Sequence, residues 1–109
     1  MMLRPEILIS MKRIEIVIEE EELDNLIALL RSADVRGYTV IKPAGGLGSR
    51  GERKPDEPFL KENNAVVILA CEEKQAERLI MTLRPKLKDF GGMCLVSDCQ
   101  WVIGPAASY

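Results

Sequence analysis

The chain contains no histidine. That removes Ser-His-Asp triads, histidine general bases and imidazole-built metal sites together. Its three cysteines, Cys71, Cys94 and Cys99, are an odd number, which does not suit a disulfide framework. Cys94 and Cys99 fall in one expected strand on opposite faces, so they cannot clamp one metal. Small buried thiols are the plainer reading. There is no excess of positive charge: Lys and Arg total 15, Asp and Glu 17, a net of −2. A protein that coats nucleic acid needs the reverse. No apolar run approaches the length of a membrane-spanning helix. The N-terminal stretch Met1–Met11 has only the apolar run Ile7–Ile9, too little for a secretory signal, so a cytoplasmic location is expected. No Ser, Cys or Lys has an adjacent base to activate it. No catalytic residue and no metal ligand set is expected, and the chain does not read as an enzyme.

What is present is one domain's worth of alternating and helical pattern. The chain has 109 residues, 47% of them hydrophobic and 29% charged, a globular composition. Lys12 to Glu19 alternates, with Ile14, Ile16 and Ile18 on one face, as in a half-buried strand. Residues 1–11 are expected to be a disordered leader, with Met11 an alternative start. Glu19–Glu22 suits the first turn of a helix, where the dipole favours anions; it lacks the spaced oxygens of a calcium loop. Leu23, Leu26, Ile27 and Leu30 make one helical stripe, expected to end near Asp34 with Gly37 just beyond. Tyr38–Ile41 is a second strand, stopped by Pro43. Ala65–Cys71 reads as a strand buried on both faces. Glu72–Leu87 is a second helix with the stripe Ala76, Leu79, Ile80 and Leu83, ended by Pro85. Gly91-Gly92 is a turn, and Met93–Ile103 the last strand, with Met93, Leu95 and Trp101 on one face. Trp101 itself reads as core or interface. The tail, residues 104–109, is expected to fray.

Strand–helix–strand thus occurs twice. The closed solution is an α+β, ferredoxin-like βαββαβ unit: a four-stranded antiparallel sheet with both helices on one face. The other face is then bare and apolar, so a homo-oligomer is expected to cover it.

Residues 44–62 interrupt the pattern with four glycines and two prolines. Long segments of this kind are commonly functional. Within them Gly46-Leu47-Gly48-Ser49-Arg50-Gly51 matches a dinucleotide fingerprint in letters only, because prolines and no helix follow it. Glu52 stands where a phosphate-loop lysine would be. Clustered glycine amides, a hydroxyl and a guanidinium do suit a small anion. Arg84, Lys86 and Lys88 precede Gly91-Gly92; they read either as cations at a helix end or as a second phosphate-contacting turn.

Gly37-Tyr38-Thr39-Val40, the segment Gly45-Gly46-Leu47-Gly48-Ser49-Arg50 and the closing Gly91-Gly92 strand together resemble the PII-like signalling proteins over residues 12–103. The similarity is greatest to the branch linked to inorganic carbon, which includes a carboxysome-associated member and the partner of a bicarbonate transporter. The resemblance implies a homotrimer with sheets facing inward and adenine nucleotides held in clefts between subunits. It makes residues 44–62 the T-loop that meets a target protein. It implies that Gly37, Tyr38 and Thr39 line the adenine. Gly45, Gly46, Gly48, Ser49 and Arg50 would hold phosphates, with Gly46, Gly48, Ser49 and Arg50 also the candidate bicarbonate site. Gly91, Gly92 and Lys88 would form the second phosphate turn. The target would be a bicarbonate transporter or a carboxysome-associated protein. Departures narrow this. Residues 44–62 hold no tyrosine for uridylylation. Gln100–Ile103 replaces the late basic residues that meet ATP, which favours ADP or AMP. The tail lacks a cysteine pair. The alternatives are a metal-tolerance trimer of the same architecture, a nucleotide-hydrolysing enzyme and a purely structural trimer.

Overall fold

The computed structural model describes residues 5–44, 46–48, 51–53 and 63–104. Four strands form one antiparallel sheet: β1 (Leu8–Glu19), β2 (Thr39–Ala44), β5 (Asn64–Cys71) and β6 (Met93–Val102), in the order β2-β5-β1-β6. The helices α1 (Leu23–Ser32) and α2 (Glu73–Leu83) cross over between them. Two short strands, β3 (Gly46–Gly48) and β4 (Gly51–Arg53), pair with each other as a separate ribbon. This is the expected ferredoxin-like unit.

β1 is the central strand. Residues 12–19 pair with β5 and residues 8–17 with β6. Its alternation buries Ile14, Ile16 and Ile18 completely beneath the helices. Ala65, Val67, Leu69 and Cys71 of β5 lie on that same face, and Leu26, Leu30, Leu79 and Leu83 close over them from the helices. The strand begins at Leu8, four residues before the expected start. Residues 8–11, expected as part of a leader, pair with Cys99–Val102. Their apolar run does not alternate, so only the long partner strand reveals them as strand.

The first helix starts later and stops earlier than its pattern. Glu20–Glu22 form a 3-10 turn ahead of it. After Ser32 the chain turns sharply: the Val35 amide donates to the Leu30 carbonyl (2.9 Å) and the Asp34 amide to that of Arg31 (3.1 Å). This paired closure needs a left-handed residue at its centre. Asp34 takes it, at φ 61°, three positions before the expected glycine. α2 likewise ends at Leu83, because Pro85 can neither donate to the helix nor clear its preceding turn.

β5 is buried on the helix side and half-buried on the other, through Val66, Ile68 and Ala70. The open face continues through Ile9, Ile41, Met93 and Leu95, each about half exposed. Among the described residues nothing covers the second face of the sheet.

These packing details make two predictions. Asp34→Gly removes the left-handed cost and is expected to raise stability by about 0.5–1 kcal/mol, part of the gain being offset by a freer unfolded chain. A higher urea midpoint at unchanged slope would show it. Burial pushes the Cys71 thiol above its ordinary 9.0, with Cys99 nearby adding to it, and burial does the same to Cys94. The folded state therefore holds these protons more tightly than the unfolded chain does. Their stabilisation is complete below the ordinary thiol range and is lost as pH rises through the folded values. Unfolding free energy is expected to fall above about pH 8.5, and to fall less steeply in Cys71→Ala/Cys94→Ala.

Candidate functional site

One end of the sheet collects most of the described residues that chemistry singled out. Ala44 at the end of β2 is opposite Asn64 at the start of β5, and Asn64 is opposite Glu19 at the end of β1. The Glu19 amide then donates to the Phe90 carbonyl (3.2 Å), just before Gly91-Gly92. The β3–β4 ribbon, with Gly46 opposite Arg53 and Gly48 opposite Gly51, emerges from this same end. Lys42 of β2 forms an ion pair with Glu20 at 3.7 Å. The structure thus places the β3 glycines and the Gly91-Gly92 turn at the same end of the sheet, beside its two opposite outer strands β2 and β6, as the chain order alone could not.

The turn is built like the end of α1. The Gly92 amide donates to the Leu87 carbonyl (3.2 Å) and the Gly91 amide to that of Lys88 (3.1 Å), with Gly91 at φ 63°. Phe90 is buried in the core beside it. Both glycines have a packing reason to be glycine. A Cβ on Gly91 would sit 2.5 Å from Glu19 Oε1. One on Gly92 would sit 2.8 Å from Ile18 Cγ2 and closer still to the Val17 carbonyl oxygen. With both amides spent inside the turn, what it presents outward is a compact backbone and the exposed Lys88.

Gly37, Tyr38 and Thr39 lie elsewhere. Thr39 is opposite Ile68, in the middle of β5. From there to Ala44 is five residues, roughly 16 Å of strand, and β5 and β1 lie between β2 and β6. Within one chain these residues do not meet the Gly91-Gly92 turn. Gly37 is exposed and nothing stands within 4 Å of the Cβ it lacks, whereas Tyr38 packs against the core. Gly45, Ser49 and Arg50 lie outside the described residues.

The acidic run suggests a solvated helix start for Glu19. It is instead 7% exposed, the one buried charged residue among those described. The signal for this is its place as the next outward position of an alternating strand whose end meets a glycine turn. Two hollows lie away from this edge, one around Asp34, Arg78 and Met81, the other around Lys12, Glu73 and Asp98. In the second, a hydrogen bond from Lys12 to Asp98 raises the Lys12 ammonium above its ordinary value. Among the described residues no group of three or more metal-ligating Cys, Asp or Glu side chains exists, and no helix is long and apolar enough to cross a membrane.

A four-stranded antiparallel sheet backed by two helices, with a long excursion between β2 and β5 and a glycine turn beside its base, is the subunit design of PII-type proteins. The profile of the nitrogen regulatory protein P-II family matches residues 11–103, and the chain belongs to that family. Among solved structures it is similar to CPII, a nitrogen regulatory PII-like protein from Thiomonas intermedia K12, bound to ADP, AMP and bicarbonate. The two are 27% identical, at a TM-score of 0.79 over 87% of this chain and 91% of that one. CPII bound to ADP and bicarbonate, from the same organism, gives 26% identity and a TM-score of 0.75 over the same shares. A PII-like signalling protein from Thermus thermophilus, at 23% identity and a TM-score of 0.73 over 87% of this chain and 92% of that one, shares the fold. Among curated proteins none matches by sequence.

The glycine geometry separates packing from ligand roles. Gly92→Ala must push a methyl into the backbone of β1 and is expected to cost about 1–3 kcal/mol. Gly37→Ala meets nothing and should stay within about 0.5 kcal/mol of the parent. Chemical denaturation of the pair checks this, and equal costs would contradict it.

Proposed function

We propose that this protein is a cytoplasmic, non-enzymatic PII-like regulator that works as a homotrimer with its sheets facing inward. It binds ADP or AMP between subunits, together with bicarbonate. Residues 44–62 carry the bound state to a target, a bicarbonate transporter or a carboxysome-associated protein. The observation that carries this is the separation of Gly37–Thr39 from the Gly91-Gly92 turn, in a chain that leaves one apolar sheet face uncovered. A second copy laid on that face can bring one chain's Gly37–Thr39 to the other's turn, making the cleft that a single chain lacks. The ligands recorded for CPII supply the chemistry: an adenine nucleotide and a small carboxylate-like anion.

In this reading Gly37, Tyr38 and Thr39 line the adenine. Gly45, Gly46, Gly48, Ser49 and Arg50 meet phosphate or bicarbonate, and Lys88 adds charge beside Gly91 and Gly92. Arg is suited to the anion because its planar fork matches a bicarbonate or phosphate edge with two donors. Nucleotide shifts the long segment only by its differential affinity for the two arrangements of that segment.

Calorimetry with AMP, ADP and ATP, each with and without bicarbonate, tests the reading, alongside the mass in solution by light scattering. ADP or AMP is expected to bind a trimer, and bicarbonate to tighten that binding by about 5–150-fold, the usual span of such couplings. Linkage requires nucleotide to tighten bicarbonate by the same factor. Arg50→Ala is expected to weaken the bicarbonate effect with the trimer intact. A monomer, or no binding of any nucleotide, would overturn the proposal.

A further inference from the structure

Two consecutive amides at the end of β1 hold two different segments. The Glu19 amide donates to Phe90, in the glycine turn, at 3.2 Å; the Glu20 amide donates to the Asn63 carbonyl at 2.7 Å. Asn63 is where the chain returns from its long excursion into β5. Between these two bonds sits the Glu19 side chain, buried, with its carboxylate against Gly91 where a methyl would stand 2.5 Å from Oε1. Gly92 in turn rests on the backbone of Val17 and Ile18. Among the described residues the buried Asn63 side-chain oxygen has no hydrogen-bond partner, so at Asn63 itself the bond that ties the return point to β1 is the one from the Glu20 amide. Upstream of this junction, residues 12–17 of β1 are paired on both sides, so the strand body does not stretch to absorb a movement at its end.

We propose that Glu19 is a positioning residue that couples the Phe90–Gly92 turn to the Asn63–Asn64 return. A shift of the turn displaces the carboxylate packed against Gly91. Glu19 carries its neighbour Glu20 with it, and the Glu20–Asn63 bond registers the change. The arrangement links the turn that the proposed function places beside the ligand to the base of the segment it places beside the target. The ligand half of this inference rests on that reading; the mechanical half does not.

Amide hydrogen exchange of the whole protein tests both halves. Without ligand, Gly91→Ala drives a methyl into the carboxylate and is expected to speed exchange in peptides holding Asn63–Asn64 by at least about threefold. The Leu8–Met11 end of β1 should be unchanged. In Glu19→Ala/Gly91→Ala the clash with the carboxylate is gone and only the left-handed strain at φ 63° remains, so the rise that Gly91→Ala causes at Asn63–Asn64 should be clearly smaller on the Glu19→Ala background than on the parent, a non-additivity that points to direct contact. Should Gly91→Ala not fold, Glu19→Ala alone decides: faster exchange confined to Asn63–Asn64 and the turn supports the coupling, and a uniform rise overturns it. With ADP, the parent should change its exchange at Asn63–Asn64. Glu19→Ala should keep ADP affinity within about threefold yet lose that change, and Glu19→Gln, which keeps the shape, should recover it. Affinity and response lost in proportion would make Glu19 merely structural and overturn the proposal. If the parent binds no nucleotide, the nucleotide reading fails, and the ligand-free comparison still decides the coupling.

Discussion

Everything in this fold is positioned by a strand that has a neighbour on each side. β1 pairs with β5 over residues 12–19 and with β6 over residues 8–17. A strand in that position cannot slip by one residue without turning Ile14, Ile16 and Ile18 out of the core. Burying those three is worth several kcal/mol by the usual yield of about 1.5–3 kcal/mol for each large aliphatic side chain. Register is therefore fixed along the strand body, and the backbone of Val17 and Ile18 becomes a reference for what packs on it. The glycine turn can pack on Val17 and Ile18 only because that backbone does not move, and the turn needs glycine because it comes so close.

The pattern of apolar residues carried the fold a long way. A period-two stripe located β1, an almost unbroken apolar run β5 and period-3.6 stripes α1 and α2, and the repeated order of elements led to the four-stranded antiparallel sheet that the structure has. What it did not carry were features that depend on partners far along the chain. Leu8–Met11 becomes strand because Cys99–Val102 lies beside it. Asp34 takes a left-handed turn because the main chain can close hydrogen bonds to Leu30 and Arg31 there. The extra residues at the edges of α1 and α2 looked helical in pattern, but Glu20–Glu22 and Arg84–Lys86 settle into tighter 3-10 turns.

The site was legible to a smaller degree, for a reason that is also physical. Glycine, serine and arginine in one segment suit an anion by their chemistry, but their spacing says nothing about which end of the sheet the segment leaves. The row Ala44, Asn64, Glu19 and Phe90 exists only once the strands are paired. Glu19 was hidden in an acidic run, where three solvated neighbours disguised one buried carboxylate. Gly91 and Gly92 stood out as a phosphate turn by resemblance. Their amides turn out to be committed to Leu87 and Lys88, so their identity answers to packing whatever ligand arrives.

The same row explains how the fold carries so long an excursion. Ala44 and Asn64 are cross-strand partners, so the sheet holds the two ends of residues 45–63 together before those residues do anything. Loop-closure entropy grows only with the logarithm of length, and doubling such a segment costs about 0.6 kcal/mol. Its composition is then free of the demands of sheet pairing, which permits glycines and prolines that a regular element would reject. What the segment does must still reach the rest of the molecule through its two anchors. One of them, Asn63–Asn64, is hydrogen-bonded to β1 beside the residue that touches the glycine turn. A regulator built this way needs no rearrangement of its core. The body of the central strand can stay fixed, and in the proposed function what changes is confined to the end of the sheet where both anchors and the glycine turn lie.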